Sequence, residues 1–187
     1  MPENSLVRSG HFHAVRFYED TAALSRIVAD FLAEGIRSGQ PALVIASGAH
    51  QQSILVRLRE LSFDPAAAMA RGDLLLADAA ELLASFMVDG MPDGERFNDR
   101  MTELLGRIAH GRVVRAYGEM VDVLWQAGMH AAAIRLEMLW NQLANSADFS
   151  LLCGYSMGHF YKDAAYDEIC SQHTHVISVE GQAGPLH

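Results

Sequence analysis

The 187-residue chain holds a single lysine, Lys162, among its 14 basic residues. Any chemistry that needs a lysine therefore has one candidate, late in the chain. Cysteine is almost as scarce. Cys153 and Cys170 are too few for a disulfide framework, and a reducing cytoplasm is the expected setting. No apolar run approaches the roughly 18 residues of a membrane span, and mean hydropathy is only +0.08. The opening segment MPENSLVRSGHFH has no apolar stretch of the kind a secretory signal needs. Positive charge is also in short supply. Fourteen basic residues against 23 acidic ones give a net charge of −9, which argues against a general nucleic-acid binder, since such a protein needs a basic face to displace counterions.

Three motifs are missing as well. No G-x-x-x-x-G-K-[ST] occurs, which excludes the ordinary P-loop with its amide cradle and lysine. No G-x-G-x-x-G follows a strand, so a dinucleotide fold has little support. No G-x-S-x-G is present to make a hydrolase nucleophile elbow.

What is present is half hydrophobic and of a size to bury a core as one domain. Short β-rich or wholly apolar runs alternate with helical patterns. The runs are His13 to Tyr18, Ala42 to Ala46, Asp73 to Ala77, Val113 to Tyr117, Ser150 to Cys153 and Thr174 to Ile177. Between the first two, Leu24, Ile27, Val28, Phe31, Leu32 and Ile36 follow helical spacing, ended by Gly39 and Pro41. Asp89 to Gly94 reads as a loop, and Phe160 to Cys170 as a helix. The alternation predicts an α/β fold, three layers deep, with a mostly parallel sheet and helices on both faces. Residues 1–10 and 179–187 are expected to be flexible tails.

In such sheets ligands bind outside the carboxyl ends of the strands. The residues there are Tyr18, Glu19 and Asp20; Ser47 to His50; Asp78; Gly118 and Glu119; and Cys153 to Tyr155. Asp20 reads either as a helix cap or as an acceptor for a ligand, and Glu19 either as a ligand acceptor or as a charge at the helix N-terminus. Glu119 is a ligand acceptor, a general base or a helix-terminal charge. Cys153 is a pocket wall or a small buried hydrophobe. His11 with His13, and His173 with His175, alternate as strand neighbours do, so each pair is a candidate metal chelate. Glu137 and Asn141, four apart on a helix, read first as a structural hydrogen-bonded pair.

The strings themselves carry a resemblance. His13-Ala-Val-Arg-Phe-Tyr-Glu-Asp20, Phe31-Leu-Ala-Glu-Gly35, Gly39-Gln-Pro-Ala-Leu-Val-Ile45 and Gly118-Glu-Met120 with Trp125 form the first set. Arg135-Leu-Glu137, Leu139-Trp-Asn141, Leu151-Leu-Cys-Gly-Tyr155 and His173-Thr-His-Val-Ile177 complete it. Together they resemble the MEDS domain, the methanogen/methylotroph DcmR sensory domain, over about residues 11–178. The order of elements is also similar to a KaiC/RecA-type core. Where that superfamily carries its P-loop (Walker A), this chain has Phe17 to Ala23, acidic and apolar.

The resemblance implies a non-catalytic, cytoplasmic sensory module in signal transduction or transcription regulation. By carry-over, His13, Tyr18, Glu19, Asp20, Glu119, Cys153 and Tyr155 would line a site for a small organic ligand, with His173 and His175 as less certain members. No cofactor is indicated. Neither a kinase nor a helix-turn-helix is visible, so the partner is expected to be a separate histidine kinase or transcription regulator, or a further part of a longer protein. The lesser alternatives are a ligand-free interaction adaptor, a metal-dependent sensor, and an enzyme using Glu119.

Overall fold

A computed structural model describes residues 12–156, 165–177 and 183–185. His11, Lys162 and the start of the helix expected from Phe160 lie outside these residues. In chain order the elements are β1 (His13–Tyr18), α1 (Thr21–Arg37), β2 (Ala42–Ala46), α2 (Gly48–Glu60), α3 (Pro65–Arg71) and β3 (Leu74–Asp78). Then come α4 (Ala79–Phe86), β4 (Met87–Val88), β5 (Met91–Pro92), α5 (Gly94–Ala109), β6 (Val114–Gly118) and α6 (Met120–Gln126). The last are α7 (His130–Leu143), β7 (Phe149–Ser156), α8 (Ala165–Ser171), β8 (His175–Ile177) and β9 (Ala183–Pro185).

Seven strands form one sheet in the order β3-β2-β6-β7-β1-β8-β9. The first six run parallel, and β9 pairs antiparallel with the outer side of β8. The chain therefore builds an α/β, three-layer fold. One face of the sheet carries Val15, Phe17, Leu43, Ile45, Ala116, Leu151, Cys153 and Tyr155 beneath α4, α5, α6 and α7. The opposite face carries Ala14, Val44, Tyr117 and Leu152 beneath α1 and α2. Burial on both sides explains why β2 is a run of five apolar residues, with no polar alternation.

Most elements follow the sequence pattern; four details differ. Strand β9 falls within residues 179–187, expected to be a flexible tail, because the outer edge of β8 gives it a hydrogen-bonding partner. Residues 65–71 form a helix (α3) not expected from periodicity, because its four alanines give no apolar stripe. Its ends are nevertheless marked: Asp64 accepts from the Ala67 amide, Pro65 opens the first turn, and Gly72 takes a left-handed conformation with φ 75°. The expected loop at Asp89 to Gly94 contains the turn of a two-stranded hairpin, β4–β5. Asp89 and Gly90 both have positive φ, as a tight hairpin turn with the right twist requires. Strand β7 runs on to Ser156, three residues beyond Cys153, because β1 is still beside it after β6 has ended. Cys153 is thus mid-strand, opposite Val15 on one side and Gly118 on the other.

Candidate functional site

The residues singled out in the sequence divide between two polar clusters. The first lies at the carboxyl ends of the central strands. Glu119 follows β6 and precedes α6, yet its carboxylate does not cap that helix. It crosses to the next strand end instead: Oε1 accepts from the Ser47 amide at 2.5 Å, and Oε2 lies 2.6 Å from His50 Nδ1. The Tyr117 hydroxyl also donates to Oε2 at 3.2 Å. One turn later, buried Asp122 ties in the other two strands. Its Oδ1 accepts from the Ser156 amide at 2.9 Å, and its Oδ2 from Gln126 at 2.6 Å and the Tyr18 hydroxyl at 3.3 Å. Two carboxylates thus link the ends of β1, β2, β6 and β7 to α2 and α6.

The electrostatics follow from burial and close charge. The hydrogen bond to Glu119 raises the His50 pKa, outweighing the opposing effect of burial. Burial raises the Asp122 pKa, against its three hydrogen bonds. Burial, followed by the neighbouring carboxylates, lifts both Tyr18 and Tyr117 above the usual phenol range. At neutral pH the two phenols are hydrogen-bond donors.

Glu19 and Asp20 are exposed, directly after the end of β1. Asp20 caps α1 by accepting from the amides of Ala22 and Ala23, and it borders a groove of about 460 Å³ between α1 and α2. Asp78 likewise caps α4, at the edge of a second groove of about 400 Å³ with Arg100 and Arg107.

The second cluster lies inside the molecule, between the sheet and α7. His13, Cys153 and Tyr155 point to that face, and Glu137 meets them from the helix. The Tyr155 hydroxyl donates to Glu137 Oε1 at 2.7 Å. His13 Nε2 lies 3.2 Å from Glu137 Oε2 and 3.3 Å from Cys153 Sγ. His173, just before β8, brings Nε2 to 3.3 Å from Glu137 Oε1. The two imidazoles are 4.2 Å apart, centre to centre. Burial alone would raise the Glu137 pKa. The positive charge of His173, then the hydrogen bond to His13, instead hold it far below the usual carboxylate range. Burial disfavours a charge on His173, but Glu137 reverses the effect and raises its pKa. Burial, then Glu137, pushes the Cys153 thiol well up, and Tyr155 likewise.

Tyr18 and Glu119 thus share the strand-end cluster, and His13, Cys153 and Tyr155 share the interior cluster. His173 joins the interior cluster and His175 does not. Residue 173 precedes the strand, so the two rings are not held to one face. The His175 ring lies tilted against Phe12, 4.9 Å centre to centre, and bonds the Thr174 hydroxyl. Glu137 and Asn141 do not pair with each other; both turn to His13. Glu137 was detectable: it sits four residues after buried Ala133 and three before buried Trp140, a carboxylate on the packed stripe of an apolar helix. Asp122 gave a weaker sign, an acid one turn past a strand end. Tyr117 gave none, being one more aromatic residue in a strand.

Comparison with known proteins decides the family. Residues 12–174 match the family described as the methanogen/methylotroph, DcmR sensory domain. The chain belongs to the MEDS family. No curated protein matches it. The crystal structure of a KaiC-like protein from the hyperthermophilic archaeon Pyrococcus horikoshii OT3 is similar in fold, with a TM-score of 0.62 at 10% identity. That match covers 90% of this MEDS chain and 71% of the other. Both clusters fall within the MEDS match. Among the described residues, no helix is long and apolar enough to cross a membrane.

Proposed function

We propose that this MEDS domain is a non-catalytic cytoplasmic sensor that takes a small organic ligand into the strand-end crevice and signals to a separate histidine kinase or transcription regulator. The observation that carries the reading is the pair of linked carboxylates, Glu119 and Asp122, which tie four strand ends to α2 and α6. A ligand with donor groups that replaces Ser47, His50 or Tyr18 at these oxygens would move α2 or α6 relative to the sheet. The population shift is bounded by the ligand's difference in affinity for the two arrangements. Tyr18 and Glu119 would touch the ligand, and Glu19 and Asp20 stand at the entrance. His13, Cys153 and Tyr155 lie behind, in the interior cluster.

The test is a thermal-shift screen of short-chain alcohols, aldehydes, amines and chloroalkanes, followed by calorimetric titration of any binder. Glu119→Gln and Tyr18→Phe should each weaken that binder by roughly tenfold or more, as loss of a charged hydrogen bond predicts. Unchanged affinity in both folded variants would rule the crevice out.

One observation favours a second reading. Every carboxylate oxygen of Glu119 and Asp122 already accepts from the protein's own donors. A ligand-free adaptor would keep them so, and its partner capture would be insensitive to the whole screened panel.

A further inference from the structure

The interior cluster turns two ring nitrogens, a sulfur and a carboxylate toward one another. Asn141 donates through Nδ2 to the Gln172 carbonyl at 2.8 Å, which orients its amide. Its Oδ1 therefore faces His13 Nδ1 at 2.9 Å and can only accept. His13 thus has a proton on Nδ1, and Nε2 is the atom turned to Cys153 and Glu137, able to donate to the carboxylate or, once deprotonated, to bind a metal. His173 repeats the arrangement. Its Nδ1 donates to the Ile169 carbonyl at 2.7 Å, so Nε2 is the ring atom turned to the Glu137 carboxylate. That nitrogen is buried with no hydrogen-bond partner in line with it. Two ring nitrogens, a carboxylate and a sulfur converge, and a buried polar atom left unpaired is costly.

We propose that His13 Nε2, Cys153 Sγ, a Glu137 carboxylate oxygen and His173 Nε2 form a closed, four-coordinate site for a divalent transition metal of the zinc type. The four donor atoms lie within 4.8 Å of one another. His13 Nε2, Cys153 Sγ and Glu137 Oε2 are 3.3, 3.2 and 3.7 Å apart, near tetrahedral edges, and His173 Nε2 lies 3.3 Å from the other carboxylate oxygen, Oε1. A tetrahedron built on the usual zinc bond lengths of about 2.0–2.3 Å has edges of roughly 3.3–3.7 Å. Charge also balances: a dication with one thiolate and one carboxylate is neutral, as a buried site demands. The ligands have the outer contacts that metal sites use: Asn141 on His13, the Ile169 carbonyl on His173, and Tyr155 on Glu137. Mixed nitrogen, sulfur and oxygen donors select zinc, cobalt or iron over calcium and magnesium. Four protein ligands leave no open position, so the metal would be structural or sensed and would not act on a substrate. The site stands apart from the crevice reading and does not depend on it.

The test uses the full chain, stripped with a chelator and titrated anaerobically with cobalt(II). One equivalent should give the intense visible absorption of a tetrahedral ion and a thiolate-to-cobalt band in the near ultraviolet, both removed by zinc. Cys170→Ser should keep the thiolate band and Cys153→Ser should lose it. If Cys153→Ser does not fold, retention in Cys170→Ser still assigns the band, because the chain has only these two cysteines. Zinc, but not calcium or magnesium, should raise the melting temperature of the stripped protein. Cobalt absorption no stronger than that of the free ion, or a thiolate band lost in Cys170→Ser, would overturn the proposal; the cluster would then be reconciled by a proton.

Discussion

Gly154 is held to a bare α-carbon by its neighbour across the sheet. A β-carbon there would come within 2.7 Å of the Tyr117 hydroxyl, the same hydroxyl that donates to Glu119. Gly154→Ala should therefore cost about 1–3 kcal/mol, as overpacking does, and loosen Tyr117 from Glu119; urea denaturation reads the first effect. Glu137 carries a larger penalty. Glu137→Ala leaves buried imidazoles and a phenol facing a void, and should destabilise the chelator-treated protein by roughly 3–5 kcal/mol. His50 gives a pH signature. Its pKa is raised in the folded state by Glu119, so the stabilisation is fully present below the unfolded value of about 6.5 and fades as pH rises through the higher folded one. His50→Gln should accordingly lower the melting temperature more at pH 6 than at pH 9, and equal losses at both would contradict the pairing.

The ends of α1 were legible because capping is local chemistry. Asp20 stands where the strand pattern stops, and its side chain takes two orphan amides. Asp20→Ala should cost about 1 kcal/mol in thermal denaturation, with the sheet unchanged by circular dichroism. The strands were legible for a similar reason: a run such as Ala42 to Ala46 can only be satisfied between two layers of helices. What local pattern could not give was which elements meet. The i, i+4 spacing of Glu137 and Asn141 on α7 is compatible with pairing on the helix or with a shared external partner. Only the packing of α7 over the first strand selects the second. Likewise His13, Cys153 and His173 are scattered in the chain, and their meeting depends on the strand order. Tyr18 and Glu119 were visible from the sequence because a strand's carboxyl end is defined by its own direction. The limits of β7 were less so, since a strand lasts as long as a neighbour accompanies it.

At the scale of the molecule, the charge of −9 sets what the surface can attract. Duplex DNA should show no retardation by this chain at about 0.1 M salt, because no excess of basic groups is available to release counterions; a salt-sensitive complex would contradict that. The strand order has a different consequence, in time. Among the described strands β1 is made first, yet its neighbours β7 and β8 are among the last, and His13 and Cys153 are 140 residues apart. At the usual pace of synthesis the first strand waits on the order of ten seconds for its partner. Throughout that interval six residues destined for burial have both edges open. Among the described strands, β1 is therefore the one most exposed to wrong pairing. A ribosome-stalled chain ending before β7 should bind chaperones through residues 13–18, and release them once β7 has emerged.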